Sequence, residues 1–437
     1  MNIIMLSGGS GKRLWPLSND IRSKQFIKFL KNEDGQYESM VQRVYRSIKR
    51  VDQDADITFA TSKTQVSSIR NQIGDNVSIS VEPCRKDTFP AIVLAVAFLH
   101  DIKHIGLDES VVVCPVDPFV DDDYFKTLQD LSVCSSKEEA NLVLMGIEPT
   151  YPSEKYGYII PKTKGKYSEV KEFKEKPSVD IAKEYINQGA LWNGGVFAFK
   201  IGYLLDKAKE IIPFSDYYDL YNKYDTLSKI SFDYAVAEKE PNIKVIRFNG
   251  KWTDLGTWNT MVDAMEESII GNGIIADGCH DVSIINELDV PILAMGMNDV
   301  VISASPDGIL VSDKKKSAGI KPYVDRIHAP VMYAEKSWGA FKIIDAQENC
   351  LTIKVTIKAG DGMRYHSHKN RDEVWVISSG TGRTIVDGME QTVRCGDVIT
   401  MQAGCKHIVV ADTDMTIIEV QLGKDINVED KEHHELK

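Results

Sequence analysis

The sequence has no excess of basic residues. Lysine and arginine number 52 against 64 aspartates and glutamates, which gives a formal net charge of −12 at pH 7. A protein of that sign is repelled at long range by nucleic acid and by anionic membrane. Any phosphate group that the protein binds must therefore meet a local basic site.

Long apolar runs and paired cysteines are also missing. No stretch approaches the length of a membrane-spanning helix, and Met1 leads into an apolar run without the basic flank or cleavage site of a secretory signal. The seven cysteines include no C-x-x-C pair, which favours reduced thiols over a disulfide framework. We expect a cytoplasmic protein with no nucleic-acid or membrane partner, and the sequence leaves open a homo-oligomer.

The 437 residues are enough for two or three domains. Over residues 1–267, short β-branched runs alternate with helical stretches, a pattern typical of a mostly parallel sheet covered on both faces. Residues 268–335 contain short apolar runs separated by Gly, Asn and Asp, which predict a β-rich linker. Residues 336–437 contain regularly spaced strand-like runs and then, from Gly423, a charged tail that we expect to be frayed. The predicted fold class is α/β followed by a β-barrel.

The first strand-like run leads into a glycine-rich loop. Glycines let backbone N–H groups approach a phosphate, and the two basic residues that follow add positive charge. The loop is not a Walker A motif, because Arg13 stands where Ser or Thr would hold magnesium, and Leu14 replaces the last glycine of G-x-G-x-x-G. A plain turn is the alternative interpretation of the glycines alone. The candidate anion-binding residues are Gly8, Gly9, Ser10, Gly11, Lys12 and Arg13.

The longer string is more specific. Residues 8–18, followed by Ser-Lys-Gln-Phe at 23–26, closely resemble the nucleotide-binding signature of the mannose-1-phosphate guanylyltransferase family. The resemblance continues in order through most of residues 1–267, and it implies a Rossmann-like nucleotidyltransferase domain. Its further matching strings begin at Glu82, Pro115, Gly146, Tyr156, Phe173, Trp192, Asp233 and Trp252.

In this family, a sugar 1-phosphate attacks the α-phosphorus of a nucleoside triphosphate in line, and pyrophosphate leaves. Such chemistry depends on positioning and charge neutralisation. The resemblance implies that Arg13 and Lys24 bind the triphosphate and stabilise transition-state charge, and that Asp117 and Asp254 hold Mg²⁺. An isolated Asp after a strand is otherwise more often a helix cap or turn former.

The same resemblance implies two groups of binding residues. Further contacts to the nucleotide fall on Glu82, Asp87 and Thr88. Contacts to the sugar phosphate fall on Gly157, Glu175, Lys176 and Asn193. The alternative interpretation of Glu175 and Lys176 is a solvated strand end.

Some positions depart from the family pattern. Asp87 stands where the family commonly has Asn, Pro118 replaces a frequent His, and Gly194 replaces a frequent Ser. If Asp87 faces the base, its carboxylate can accept hydrogen bonds from guanine N1–H and N2–H₂. GTP and mannose 1-phosphate are the expected substrates. Two alternatives remain open: a transferase for another sugar 1-phosphate, and a nucleotide-sugar sensor without activity.

A second pattern lies in the C-terminal domain. From Gly360 the chain reads G-x₅-H-x-H-x₄-E-x₆-G, and a further histidine follows downstream. Strand alternation puts the first two histidines on one face. The pattern resembles the metal site of RmlC-like cupins, and such ligands suit Zn, Fe, Mn, Ni or Co. Histidines packed inside a barrel are the alternative. The candidate ligands are His366, His368, Glu373 and His407, whereas His433 and His434 in the tail receive no role.

Bifunctional members of the guanylyltransferase family carry a cupin of this kind as a type II mannose-6-phosphate isomerase. The strings Lys-Ser-Trp-Gly at 336–339 and Ser-Gly-Thr at 379–381 resemble its landmarks, but Arg364 and Val374 replace a usual Gln and His. Two roles are therefore open for this domain: a second, isomerase activity, or a structural metal-binding module.

Overall fold

The computed structural model describes residues 1–9, 12–19, 21–137, 140–328, 330–424, 426 and 430–435. The chain divides into two compact units. The first comprises Met1–Ser10, Lys24–Val66 and Ile73–Glu266, and the second comprises Gly11–Ser23, Ser67–Gln72 and Glu267–Lys437. The division into three domains at residues 267 and 335 stays a prediction.

Strands and helices alternate along the first 266 residues. The strands are β1 (Asn2–Leu6), β2 (Lys28–Lys31), β3 (Tyr37–Ser39), β4 (Asp56–Ser62), β5 (Ser78–Glu82), β6 (Ser110–Pro115), β7 (Pro118–Val120), β8 (Leu142–Ile147), β9 (Tyr158–Pro161), β10 (Tyr167–Lys174), β11 (Leu191–Lys200), β12 (Ile243–Phe248) and β13 (Trp252–Asp254). The α-helices are α1 (Met40–Val51), α2 (Val66–Ile73), α3 (Thr88–Ala97), α4 (Asp122–Ser136), α5 (Val179–Asn187), α6 (Ile201–Ile211), α7 (Tyr217–Lys223) and α8 (Trp258–Val262). Short 3₁₀ or π-helical turns lie at Lys12–Leu14, Lys24–Phe26, Lys63–Gln65, Phe98–Ile102, Tyr224–Thr226 and Asp233–Ala237. None of the helices in the described ranges has both the length and the apolar character that crossing a bilayer requires.

The central sheet of the first unit has the order β5-β4-β1-β6-β11-β8-β12-β10-β9 within the described residues. Strands β5, β4, β1 and β6 are mutually parallel, as are β8 and β12. Strands β10 and β11 run antiparallel to their neighbours. The predicted α/β class with a mostly parallel sheet is confirmed. The carboxyl ends of β1, β4, β5 and β6 consequently meet at one edge.

The sequence of the core elements explains their burial. Residues Val111–Val113 of β6 are fully buried, as expected for β-branched residues in a strand covered on both faces. Helix α3 is apolar on every side, and its residues Phe89–Ala97 are all buried because it contacts strands of the sheet as well as α6 and α7. Every residue of α3 after Thr88 is therefore buried.

The second unit is rich in β-structure. Its strands are β14 (Ile269–Ile270), β15 (Gly273–Ile275), β16 (His280–Asn286), β17 (Ile292–Ala294), β18 (Asn298–Ser305), β19 (Gly308–Asp313), β20 (Tyr333–Lys336), β21 (Gly339–Gln347), β22 (Cys350–Ile357), β23 (His366–His368), β24 (Arg371–Ser379), β25 (Thr381–Val386), β26 (Met389–Arg394), β27 (Val398–Met401), β28 (His407–Ala411), β29 (Met415–Gly423) and β30 (Lys431–His433). A 3₁₀ helix at Lys316–Gly319 and helix α9 (Lys321–Val324) separate β19 from β20.

Two regions form within this unit, as the fold-class prediction requires. Strands β14, β16 and β18 are parallel, and β19 pairs antiparallel with β18 at the edge of their sheet. This sheet forms the predicted β-rich linker. The C-terminal region contains two antiparallel sheets, β20-β21-β22-β29-β24-β27 and β26-β25-β28-β23-β30. Its apolar core includes Val355, Trp375, Val409 and Ile417. This is the predicted cupin.

The expectation of a frayed tail is wrong for residues 430–434. Strand β30 pairs antiparallel with β23, with His433 opposite His366 and Lys431 opposite His368. The Asp430 carboxylate accepts the backbone N–H groups of the two residues that follow β23, each at 3.0 Å. An edge strand needs only backbone partners, so the charged side chains that suggested fraying do not prevent pairing.

Candidate active site and metal centre

A cavity of about 300 Å³ lies at the carboxyl edge of β1, β4, β5 and β6. In open α/β sheets this edge is where nucleotides bind. Predicted site residues that line the cavity are Gly8, Gly9, Lys24, Glu82, Asp87, Thr88 and Asp117. Ser7, Gln25 and Arg85 line it too, and the sequence analysis gave none of these three a role.

Two buried glutamines hold the loop that follows β1. Gln25 Nε2 donates to the Ser7 carbonyl oxygen at 2.7 Å, and Gln65 Nε2 donates to the Gly9 carbonyl oxygen at 3.0 Å. A buried backbone acceptor costs free energy unless it is paired. The glutamines therefore hold the loop through its carbonyl oxygens at Ser7 and Gly9.

Lys24 lies between the two carboxylates that the resemblance assigns to magnesium. Its Nζ is 2.8 Å from Asp117 Oδ2 and 3.3 Å from Asp254 Oδ1. Asp117 follows β6, and Asp254 ends β13, which pairs antiparallel with β7. One cation thus contacts carboxylates that are distant in the sequence.

The charges of this cluster stabilise one another. Burial opposes the ammonium form of Lys24, but the two carboxylates outweigh it and raise the pKa of Lys24. Burial also opposes the ionised form of Asp117, and the ion pair with Lys24 nevertheless lowers the pKa of Asp117. Lys24 and Asp117 therefore both stay charged near neutral pH.

The two aspartates fit a magnesium ion. Their side chains are 39% and 41% exposed, so a substrate can reach them. No third histidine, cysteine or carboxylate joins them in the part of the chain that the structure describes. Mg²⁺ is commonly held by one or two carboxylates and keeps water and phosphate oxygens as its other ligands.

Other residues of the predicted loop belong to the second unit. Arg13 is exposed within the turn Lys12–Leu14, and Lys12 Nζ lies 3.7 Å from Asp325 Oδ1. Ser10 and Gly11 lie outside the described residues. The joint action of Arg13 with Lys24 on a triphosphate therefore stays a prediction.

Two carboxylates line the side of the cavity that the sequence assigns to the base. Glu82 is buried and its Oε2 accepts the Tyr224 hydroxyl at 2.8 Å; burial raises the pKa of Glu82 although this hydrogen bond opposes the shift. Asp87 has a φ of 77° and its Oδ1 accepts the Thr88 N–H at 2.8 Å, which caps α3. Asp87 is thus both a helix cap and a lining residue.

The four predicted sugar-phosphate residues come together. Lys176 Nζ lies 2.7 Å from Glu175 Oε1, and a Cβ added to Gly157 would clash with Glu175 Oε2 and lie 3.4 Å from Asn193 Cβ. Glu175 is only 6% exposed, so it is not a solvated strand end. The absence of a side chain at Gly157 is what leaves room for the Glu175 carboxylate.

Sequence reasoning missed an aromatic cluster beside these residues. The ring centroid of Tyr156 lies 4.9 Å from that of Trp192 and 5.5 Å from that of Trp252. Trp192 precedes Asn193, and Trp252 lies two residues before Asp254. The signal was present, because three of the matching strings place an aromatic residue within two positions of a predicted site residue.

Three of the four predicted cupin ligands, all of them histidines, converge. His366 pairs in register with His407, and the ligand nitrogens of these two residues and His368 lie within 4.8 Å of one another. His366 Nδ1 is 2.6 Å from the Arg364 carbonyl oxygen, which can only accept, so Nδ1 carries the proton. Such a bond fixes the tautomer that presents Nε2 to a metal.

Burial keeps the imidazoles of His366 and His368 neutral. It lowers the pKa of His366 to about 2 and that of His368 to about 4. His407 Nε2 is buried without a hydrogen bond among the described residues, 3.3 Å from Glu373 Oε2. Imidazole nitrogens are ligands that transition metals bind, so the three histidines fit the predicted ion.

Arg371 was not predicted, although it contacts two of the ligands. Its Nη2 lies 3.0 Å from His368 Nε2, and its Nε lies 2.9 Å from Glu373 Oε1. Beside the histidines lies a cavity of about 810 Å³, lined by both apolar and charged side chains. Burial raises the pKa of Glu419 in this cavity to about 7 and lowers that of Lys431 to about 8.

Comparison with known protein families agrees with this arrangement. The family model described as nucleotidyl transferase matches residues 2–269, more than half of the chain. The chain belongs to the nucleotidyl transferase family. Residues 325–435 match a second model, described as mannose-6-phosphate isomerase C-terminal.

Relatives of this transferase cover both parts of the chain. The mannose-1-phosphate guanylyltransferase of Salmonella montevideo is 26% identical over 98% of this chain and 97% of its own length. The xanthan biosynthesis protein XanB of Xanthomonas campestris pv. campestris strain B100 is 29% identical over 86% and 85%. A crystal structure described as mannose-1-phosphate geranyltransferase from Thermus thermophilus is similar with a TM-score of 0.60 and 27% identity, covering 75% of this chain and 99% of that one. The resemblance to the bifunctional guanylyltransferases is confirmed.

Proposed function

We propose that this transferase moves the guanylyl group of GTP to mannose 1-phosphate, releasing pyrophosphate and forming GDP-mannose for polysaccharide or glycoconjugate synthesis in the cytoplasm. The observation that carries the proposal is the position of Lys24 between Asp117 and Asp254 beside a cavity of about 300 Å³ at the carboxyl edge of the sheet. The names of relatives that match nearly the whole chain support the choice of substrates.

The site residues form two groups, one for each substrate. Asp117 and Asp254 hold magnesium, which supplies positive charge to the reacting phosphates. Lys24 donates to the triphosphate and stabilises the negative charge that develops during displacement. The sugar phosphate is itself the anionic nucleophile, so no side chain has to remove a proton from it. Its phosphate meets Lys176, and its hydroxyl groups meet Glu175 and Asn193.

Two departures from the family pattern, at Gly194 and Asp87, concern the choice of substrates. A Cβ at Gly194 would lie 3.2 Å from Ile147 Cγ1, so this position faces an apolar neighbour. Glu82 and Asp87 provide carboxylate acceptors for guanine donors at the cavity wall. Another sugar 1-phosphate and a sensor without activity are the competing functions.

A substrate panel tests the proposal. Pyrophosphate release is measured with each pairing of four nucleoside triphosphates and several sugar 1-phosphates, with Mg²⁺ and with EDTA. We expect the highest kcat/KM for GTP with mannose 1-phosphate and none with EDTA. Faster turnover of another pair would refute the substrates, and no turnover with any pair would favour the sensor.

Variants then test the site. Asp117→Asn should lower kcat by two orders of magnitude or more, because removing one charge-stabilising group from such a site costs about that much. Asp123→Asn is the matched control, since this carboxylate of α4 is 73% exposed and pairs only weakly with Lys126. Equal activity of the two variants would remove Asp117 from the mechanism.

A second candidate function belongs to the cupin. The converging histidine nitrogens and the adjoining cavity favour a metal-dependent isomerase that interconverts fructose 6-phosphate and mannose 6-phosphate. Such a reaction needs an acid and a base near the metal. A coupled assay with added Zn²⁺, Mn²⁺, Fe²⁺, Ni²⁺ or Co²⁺ tests it. Metal content without isomerase activity would leave the structural role.

A further inference from the structure

Asp233 lies next to the sugar-phosphate residues and has no role in the mechanism proposed above. It begins the turn Asp233–Ala237 and its Oδ1 accepts Asn193 Nδ2 at 2.6 Å. Asn193 Oδ1 in turn accepts the Gly195 N–H at 3.1 Å. Because a backbone N–H can only donate, the second bond fixes which way the amide faces.

We propose that Asp233 is a positioning residue of the transferase: it orients Asn193 toward the sugar and, when protonated, limits the negative charge that an incoming sugar phosphate meets. This inference rests on the proposed function. It adds a residue that sets how the sugar half of the site responds to pH.

The surroundings of Asp233 make its charge costly. Two groups of opposite sign, Glu175 and Lys176, face it from the segment after β10, and the Asn193 amide faces it from β11. Lys176 Nζ lies 2.7 Å from Glu175 Oε1, so this cation pairs directly with Glu175 and offsets the repulsion between the two carboxylates only in part. Two carboxylates that share one site do not both ionise readily.

The balance of these effects places the ionisation near neutrality. Burial, followed by the charge of Glu175, raises the pKa of Asp233 to about 7, while the Asn193 hydrogen bond and Lys176 oppose the shift. Asp233 is therefore mostly protonated at pH 6 and mostly ionised at pH 8. The ionised form adds a negative charge to a site that must admit a phosphate.

The backbone that carries Asp233 is held independently of its side chain. Phe232 N–H donates to Thr88 Oγ1 at 2.8 Å, and Ile230 exchanges backbone hydrogen bonds with Lys86 and Phe89, each at 3.2 Å. These partners belong to the loop and helix start beside the nucleotide cavity. A substitution at Asp233 should consequently change the side chain without moving the turn.

Two substitutions separate orientation from charge. In Asp233→Asn, an amide oxygen still accepts Asn193 Nδ2, but the side chain cannot ionise. In Asp233→Ala, the acceptor is lost. Asp180→Asn in α5 is the matched control, because that carboxylate is 91% exposed. The full chain is used throughout, with the sugar 1-phosphate that the substrate panel shows to turn over fastest.

The measurement is the KM for sugar 1-phosphate at saturating nucleotide, between pH 6 and pH 8. For the unmodified protein we expect KM to rise roughly tenfold, the effect of one like charge at short range in a partly screened site. Asp233→Asn should lose this rise, and Asp233→Ala should raise KM roughly tenfold at both pH values. The KM for nucleotide should stay unchanged. Ionisation of the sugar phosphate over this pH range affects the KM of every variant equally, so the comparison between variants removes its contribution.

The outcomes distinguish the two proposals. If Asp233→Asn keeps the pH dependence of the unmodified protein, or Asp233→Ala leaves the sugar KM unchanged, the inference is overturned while the proposed function stands. Turnover of another substrate pair overturns only the proposed substrates. If Asp233→Ala fails to fold, Asp233→Asn still decides.

Discussion

The Lys24 ammonium lies 2.8 Å from the Asp117 carboxylate, in the place where the proposed reaction needs a divalent cation. The same ammonium contacts Asp254 at 3.3 Å. A lysine in this position has two effects. It keeps two carboxylates close together despite their repulsion, and it competes with a metal ion for their oxygens.

Lys24→Met should separate these effects. Without the ammonium, the carboxylates lose their fixed counter-ion, so Mn²⁺ added alone should bind more tightly, by roughly tenfold for a change of about 1.4 kcal/mol. Turnover should fall by two to three orders of magnitude, because the triphosphate loses a charge-stabilising donor. Metal binding is measured by electron paramagnetic resonance and turnover by pyrophosphate release.

Lys28→Met is the control for this experiment, since Lys28 is an exposed lysine on β2. It should change neither quantity. Weaker Mn²⁺ binding to Lys24→Met than to the unmodified protein would contradict competition between lysine and metal. Undiminished turnover would contradict the catalytic role.

Gly157→Ala tests the sugar half of the site. The new Cβ would clash with Glu175 Oε2 and lie 3.1 Å from Phe173 Cζ, so the Glu175 carboxylate must move. We expect a rise of roughly tenfold in the KM for sugar 1-phosphate, because a displaced binding group loses a hydrogen bond to its ligand. The KM for GTP should not change, and steady-state kinetics with each substrate varied in turn gives both values.

A matched glycine controls for the substitution itself. A Cβ at Gly106 would have its nearest neighbour, Glu109 Cγ, at an ordinary 3.7 Å, so Gly106→Ala should behave as the unmodified protein. An unchanged sugar KM in Gly157→Ala would show that Glu175 does not contact the sugar.

The sequence predicted residues that lie in contiguous motifs. Lys24 and Asp117, which the structure brings together at the cavity, could be named as candidates because short strings around them match a family. The alternation of apolar runs with helices indicated a parallel sheet. Strand order was not predictable, because β11 lies between β6 and β8 only through pairings distant in the chain. Local sequence patterns do not indicate which distant strands pair with one another.

The residues that were missed act through tertiary contacts. Asp233 lies in a matching string, but nothing local indicates that its carboxylate meets Asn193, 40 residues away. Arg371 lies two residues before Glu373 on β24, and this spacing does not distinguish a functional residue from a structural one. Its contact with His368 depends on the turn between β23 and β24, which the spacing does not indicate. The pairing of β30 with β23 was missed because the charged composition of residues 431–433 indicates solvated side chains and says nothing about the hydrogen bonds of the backbone.

The Arg22–Glu287 ion pair should stabilise the second unit. The guanidinium is buried, and its two terminal nitrogens contact the two Glu287 oxygens at 2.7 and 2.8 Å. Glu287→Ala leaves a buried charge without its counter-ion, so we expect a loss of about 3–5 kcal/mol in the free energy of unfolding. Urea unfolding followed by fluorescence measures it.

Glu33→Ala is the comparison for that loss. Glu33 pairs with Arg46 and Arg50 but is 73% exposed, so its removal should cost less than about 1 kcal/mol. If both variants unfold at the same urea concentration, the buried pair is no more stabilising than a surface one. The double variant Arg22→Met with Glu287→Leu should recover part of the loss, because it removes both charges together.

Removal of a bound metal should destabilise the cupin through its histidines. A ligand that binds only the native state stabilises it by about 2.7 kcal/mol at 100 times its Kd, so EDTA treatment of metal-loaded protein should lower the unfolding midpoint. His407→Ala removes a buried imidazole whose Nε2 has no hydrogen bond among the described residues, and it should abolish the EDTA effect. His280→Ala, at an exposed histidine of β16, should retain it. A midpoint that EDTA does not shift in unmodified protein incubated with metal would instead indicate that the three histidines are packed in the barrel without a metal.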